Sequence, residues 1–149
     1  MLLRRISRRQ SGRFFRIGTC DMALYICDTH PLVWYFTGSA MLSQRAYDIV
    51  SRGERGLDQI VIPTIVLAEL LVIAEKRRAP VDLSTVVAII HGGQGFFIQS
   101  LNWPVFEHMM LLGSDLELHD RTIAATAMLL GAPVITRDPK IGAKVPVIW

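Results

Sequence analysis

Four short apolar runs, centred near Tyr25, Ile60, Phe97 and Val134, alternate along the chain with longer stretches of helical periodicity. Strands separated by helices in this way pair in parallel, with helices covering both faces of the sheet. The expected class is therefore α/β with a central parallel sheet. In open sheets of this kind ligands gather beyond the carboxyl ends of the strands. The first run, Ala23 to Cys27, ends there on Asp28, followed by Thr29, His30 and Pro31.

A chain of 149 residues, 51% of them hydrophobic, is long enough for one buried core and short for two. The longest apolar stretch, Ile60 to Ala74, is interrupted by Pro63 and Glu69. It falls short of the roughly 20 apolar residues that a membrane-spanning helix needs. The net charge of +3 is unevenly spread: residues 1–21 hold six arginines against Asp21, a local charge of +5, which leaves −2 for residues 22–149. Basicity of the whole chain is thus no argument for a nucleic-acid partner. Residues 1–21 read as a basic flexible leader or an over-extended start. They lack the apolar segment of a signal peptide. Cys20 and Cys27 are the only cysteines and form no zinc or disulfide pattern, which fits a reducing cytoplasm.

After the first strand, Pro31 to Phe36 is expected to form a short helix. Ser43 caps the next, with Leu42, Ala46, Ile49 and Val50 inward and Gly53 and Gly56 ending it. Strand two is Gln59 to Ile62, and Pro63 opens a helix running to about Arg78 that is apolar nearly all round, a pattern expected of a helix buried on most sides. Lys76, Arg77 and Arg78 fall in its expected last turn, where the helix dipole favours cations. A helix from Ser84 to His91 leads to strand three, Phe96 to Leu101. Asn102 and Pro104 start the next helix, with Val105, Phe106, Met109 and Met110 inward. A small-residue helix, Asp120 to Leu130, precedes strand four, Pro133 to Thr136. Val145 to Ile148 supplies an edge strand.

Asp28, Asp120 and Asp138 each stand before an expected helical turn, so each alone reads as an N-cap at least as readily as a catalytic group. Glu69 lies inside an apolar helix and cannot be a cap. Its burial requires a cation, a raised pKa or an opening to water. Taken together, the four fall where a parallel sheet collects residues on one rim. Their mutual repulsion would be about 4 kcal/mol per pair at about 4 Å and an effective dielectric of about 20. A divalent cation with hard oxygen ligands, Mg²⁺ or Mn²⁺ rather than Zn²⁺, relieves it. Such a cation can activate water and shield a phosphodiester.

The motifs Ile26-Cys-Asp28-Thr-His, Ile62-Pro-Thr-Ile-Val-Leu-Ala-Glu69-Leu, His119-Asp120-Arg-Thr-Ile-Ala-Ala-Thr-Ala and Val134-Ile-Thr-Arg-Asp138 occur in this order. In them residues 22–149 resemble the PIN domain, and more closely the VapC-type toxin ribonucleases of toxin-antitoxin pairs. The resemblance implies a three-layer α/β/α sandwich and Mg²⁺-dependent endonucleolytic cleavage of RNA, with Asp28, Glu69, Asp120 and Asp138 holding the metal and its attacking water. Thr136 would orient them from behind. The resemblance also implies a cognate antitoxin covering the acidic rim, and a homodimer. Pro139-Lys140-Ile141 stands where many relatives carry a further acid, and the leader has no counterpart in the family pattern. His30 and His119 adjoin two of the acids without metal-ligand spacing to a second histidine and are expected at solvent-facing helix starts. Arg121, Arg137, Lys140 and Lys144 are candidate phosphate contacts, though each reads more readily as a solvated surface charge. Two other classes compete: a non-catalytic PIN-like scaffold binding RNA or protein, and a phosphotransfer enzyme or receiver. The second lacks the paired acids that such proteins place near the phosphorylated aspartate.

Overall fold

The computed structural model describes residues 22–149, and the expected leader lies outside them. Its elements in chain order are β1 (Leu24–Cys27), α1 (Thr29–Thr37), α2 (Gln44–Glu54), β2 (Gln59–Pro63), α3 (Thr64–Glu75), α4 (Leu83–Gly92), β3 (Phe96–Gln99), α5 (Trp103–Leu111), α6 (Leu118–Leu130), β4 (Val134–Ile135), α7 (Pro139–Gly142) and β5 (Val147–Ile148). The strands form one sheet in the order β3-β2-β1-β4-β5, and every pairing is parallel. Helices flank it, as the alternation of patterns predicts.

The strand order contains the fold's main functional consequence. The chain steps outward from β1 to β2 to β3, then returns through α5 and α6 to place β4 on the other side of β1. The point of reversal lies between β1 and β4, and a crevice opens at their carboxyl ends. Ile26 and Cys27 pair there with Val134 and Ile135, and Asp28 N donates to Ile135 O at 3.3 Å. The core beneath is aliphatic, with Ile26, Leu32, Ile60, Ile62, Leu70, Ile123, Ile135 and Ile141 fully buried.

Local chemistry explains most boundaries. Ser43 caps α2 by accepting from Ala46 N, Asp82 caps α4, and Asn102 caps α5 with Pro104 in its first turn. Gly131 ends α6 in the left-handed conformation. Gly53, expected to terminate α2, instead lies within it: a Cβ there would fall 2.2 Å from Ile60 Cγ1, so glycine permits the helix to lie close on β2.

Three other expectations are corrected. Helix α3 stops at Glu75 and is not enclosed, since only Val66 and Leu70 are buried while Leu71 and Val72 are exposed. Lys76 to Arg78 therefore follow the helix instead of closing it. In α5, Val105 and Met109 face inward but Phe106 and Met110 face out. Strand β3, expected to run to Leu101, ends at Gln99, and it is an edge with Phe97 and Ile98 exposed. Periodicity marks a helix face as apolar but does not say whether this chain or another covers it. Among the described residues, no helix is long and apolar enough to cross a membrane.

Candidate functional site

The centre of the crevice is Asp28, the residue that ends β1 and caps α1. It is 8% exposed. Its Oδ1 accepts from Thr29 N at 2.6 Å, and its Oδ2 accepts from the Thr136 hydroxyl at 2.7 Å. The second bond crosses the switch point, from β1 to the residue after β4. Thr136 Oγ1 in turn accepts from Asp138 N at 3.0 Å, so one hydroxyl fixes both the first acid and the backbone of the fourth. Thr136, singled out in the sequence, thus contacts both Asp28 and the Asp138 backbone.

Glu69 reaches the same neighbourhood from α3, which packs against both α1 and α6. Its Oε2 accepts a hydrogen bond from the Thr29 hydroxyl, while its Oε1 lies 3.6 Å from His119 Nε2. Thr29 thus joins Asp28, through its backbone, to Glu69, through its side chain. Thr29 is a member of the site that the acidic pattern alone does not mark. A threonine directly after the strand-ending acid was the signal available, since both its donors are then placed beside the crevice. His119 is half-buried and faces Glu69, whereas His30 is exposed and stacks on Trp34.

Asp120 is not an N-cap as expected. Glu117 occupies that position, and Asp120 lies within the first turn of α6, where the helix dipole favours a negative charge. Burial, then the charges of Asp138, Asp28 and Glu117, raise its pKa above the usual carboxylate range, with Lys140 opposing them. Asp28 is raised as well, first by burial and more weakly by Glu69, against hydrogen bonds from Thr136 and Thr29 and the influence of His30. Asp138 does cap α7, accepting from Lys140 N at 2.7 Å. Acids from four segments thus act electrostatically on one another around Asp28. Asp28, His30, Trp34, Thr136, Arg137 and Asp138 line a cleft of about 330 Å³.

Among the described residues, no lysine or arginine forms an ion pair with these four carboxylates. Nor do any three histidine, cysteine, aspartate or glutamate side chains stand close enough to hold a metal ion as they are. Two of the basic candidates are engaged elsewhere: Arg121 Nε donates to Met109 O, and Lys144 pairs with Asp115. Arg137 lies beside the cleft over the Trp34 ring. Cys27, immediately before Asp28, is a free cysteine whose burial pushes its thiol pKa up, which makes it an inert core residue.

Residues 25–145 match the PIN domain family, and the chain belongs to that family. Solved structures of similar fold include toxin-antitoxin complexes. A toxin-antitoxin complex from Klebsiella pneumoniae is similar at 28% identity with a TM-score of 0.60, over 85% of this chain and 96% of that one. FitAcB from Neisseria gonorrhoeae is similar at 20% identity and TM-score 0.59, over 84% of this chain and 96% of that one. VapBC2 from Rickettsia felis, bound to a promoter DNA fragment, is similar at 17% identity and TM-score 0.57, with the same coverage of 84% and 96%. No curated protein matches the sequence.

Proposed function

We propose that the chain is a metal-dependent endoribonuclease, the toxin of a toxin-antitoxin pair, with Asp28, Glu69, Asp120 and Asp138 as its metal-binding carboxylates. The observation that carries this reading is the set of acids from four segments around the switch point, none paired with a lysine or arginine among the described residues. Membership of the PIN family and the 28% likeness to a toxin-antitoxin complex support it.

The donor set fits a hard divalent cation. All four donors are carboxylates, and the raised pKa values of Asp28 and Asp120 reflect burial and mutual repulsion that a bound cation offsets. A closed protein cage is not required, because Mg²⁺ is ordinarily held by one or two carboxylates with waters and substrate phosphates completing its shell. Bound here, Mg²⁺ or Mn²⁺ would acidify a water and shield the charge of a phosphodiester.

The protein's own groups supply position and proton transfer. Thr136 and the Thr29 amide hold Asp28 in one orientation, and the Thr29 hydroxyl does the same for Glu69. Asp120, set among the other acids in the first turn of α6, is the group proposed to take the proton of the attacking water. Cleavage of a labelled RNA tests the reading. Activity is expected with Mg²⁺, absent in EDTA, and reduced at least about 100-fold in Asp28→Asn, since even residues behind the metal ligands are worth about 10- to 100-fold. A correctly folded parent that cleaves nothing with any divalent ion would leave the non-catalytic scaffold.

The same reading includes a small antitoxin covering the acidic rim, action in the cytoplasm, and a homodimer. Phe97 and Ile98, adjacent and exposed on the edge strand β3, are consistent with a protein contact there.

A further inference from the structure

Among the described lysines and arginines, Arg137 alone lines the acidic cleft, which it shares with Asp28 and Asp138. It stands between Thr136, whose hydroxyl donates to Asp28, and Asp138, whose amide donates to that same hydroxyl, so the backbone that carries it is fixed. Its guanidinium rests against two indoles. The Cζ lies 4.7 Å from the Trp34 ring centroid and 5.8 Å from that of Trp149, and the two rings meet edge-on at 5.8 Å. An exposed arginine with two carboxylates in its own cleft would ordinarily close on one of them. Arg137 does not: the ion pairs among the described residues are those of Arg52, His119 and Lys144. The arginine side chains that donate hydrogen bonds there are Arg52, Arg55 and Arg121. A guanidinium stacks through its faces and donates through its edge. Here the faces are engaged and, among the described residues, the edge has no acceptor.

We propose that Arg137, seated on Trp34 and Trp149, is a further catalytic residue: its guanidinium edge binds the non-bridging oxygens of the phosphodiester under attack and stabilises the charge they gain. The proposal deepens the nuclease reading and rests on it for the identity of the substrate. A phosphodiester carries one negative charge. When the oxygen of a water that has given a proton to a carboxylate bonds to phosphorus, that charge rises to two, until the bond to the leaving ribose oxygen breaks. A donor pair already in place for the added charge is stronger in the transition state than before it, which is the condition for raising the rate. The planar fork of arginine matches two phosphate oxygens and stays charged throughout. The indoles hold the cation at the cleft without occupying a donor, so no ion pair has to break when the phosphate arrives and less side-chain freedom is lost. An arginine paired with Asp28 or Asp138 would instead neutralise the charge that draws the divalent cation. The seat also gives the last residue of the chain, Trp149, a part in the site.

The test is single-turnover cleavage of a labelled RNA in Mg²⁺, beside Mn²⁺ affinity measured by electron paramagnetic resonance. Arg137→Ala is expected to cleave about 100-fold more slowly at saturating RNA, the effect of removing one transition-state donor. Its Mn²⁺ affinity should not fall, because Arg137 holds none of the carboxylates. Added methylguanidinium should restore part of the rate to Arg137→Ala and none to Asp28→Asn. Arg137→Lys, which keeps the charge without the fork, should lie between parent and alanine. An unchanged rate in Arg137→Ala, a loss that methylguanidinium leaves unrelieved, or a fall in Mn²⁺ affinity that accounts for the loss would overturn the proposal and leave Arg137 as a fastening between Trp34 and Trp149. A readout independent of cleavage is the Arg137 Nε signal of ¹⁵N-arginine-labelled protein, assigned by its disappearance in Arg137→Lys. Adding the RNA with Ca²⁺, another oxygen-seeking cation, in place of Mg²⁺ should move that signal, and a signal that stays in place overturns the proposal. A signal that moves in a chain that never cleaves would sink the nuclease reading and keep the phosphate contact. Cleavage at the parent's rate by Arg137→Ala would do the reverse.

Discussion

Strand β1 has a buried aspartate at each end, and the two are treated differently. At its amino end Asp58, 3% exposed, accepts from Ala23 N at 3.2 Å and pairs with Arg52, whose Nε lies 2.6 Å from Oδ2. At its carboxyl end Asp28 has an amide and a hydroxyl, with three further acids around it and no arginine or lysine paired to it among the described residues. Burial of a charge is costly without a partner, and Asp58 has the one a structural acid requires. Asp28 is held in position but not neutralised, which is the condition of a group kept for a ligand.

The comparison can be broken at several points. The largest effect separates the two aspartates in function: Asp28→Asn should lose at least about 100-fold in Mg²⁺-dependent cleavage. Asp58→Asn, assayed well below its melting temperature, should keep its rate within about threefold, because its cation is part of the protein and away from the rim. Equal losses would mean that both acids are structural.

In stability the two should move in opposite directions. Asp58→Asn removes a charge-assisted pair and should cost about 2 kcal/mol in a denaturant titration. Asp28→Asn, measured in EDTA at pH 7, should melt above the parent. The sign follows from the raised pKa: the folded state holds the Asp28 proton more tightly than the unfolded chain does. The ionised carboxylate therefore destabilises the fold progressively as pH rises from the unfolded value of about 3.9 through the raised folded one. Below about pH 4 the advantage of asparagine should vanish. An advantage that persisted there would assign the effect to packing instead of charge.

The smallest effect concerns Asp138, which combines both roles. As the cap of α7 it accepts from Lys140 N, so Asp138→Ala should cost about 1 kcal/mol and Asp138→Asn only a few tenths. Both replacements should impair cleavage. If asparagine kept full activity, Asp138 would be a cap alone.

The sheet was legible because each strand is a compact apolar run bounded by Pro, Gly or an acid. Glu69 stood out because charge inside an apolar helix requires an explanation. Helices α3 and α6 show where legibility stops. Both follow the helical pattern, yet α6, with Thr122, Thr126 and its alanines, buries six consecutive residues, whereas the more apolar α3 buries two. Small side chains let α6 lie close to β1, β2 and β4, and no sum of hydrophobicity conveys that fit. Asp120 was mistaken for a cap because α6 begins two residues earlier than its polar pattern suggests. Thr29 was overlooked because a hydroxyl's partner is decided in space, forty residues away at Glu69. The pairing of Asp58 with Arg52 was invisible for the same reason.

The central claim is that the four acids act as one cation site, and a Mn²⁺ titration followed by electron paramagnetic resonance tests it most directly. The parent should bind Mn²⁺ in competition with Mg²⁺, Asp28→Asn and Asp120→Asn should each weaken that binding at least about tenfold, and Asp58→Asn should leave it unchanged. Mn²⁺ affinity that was absent in the folded parent, or unaffected by the rim substitutions, would contradict it.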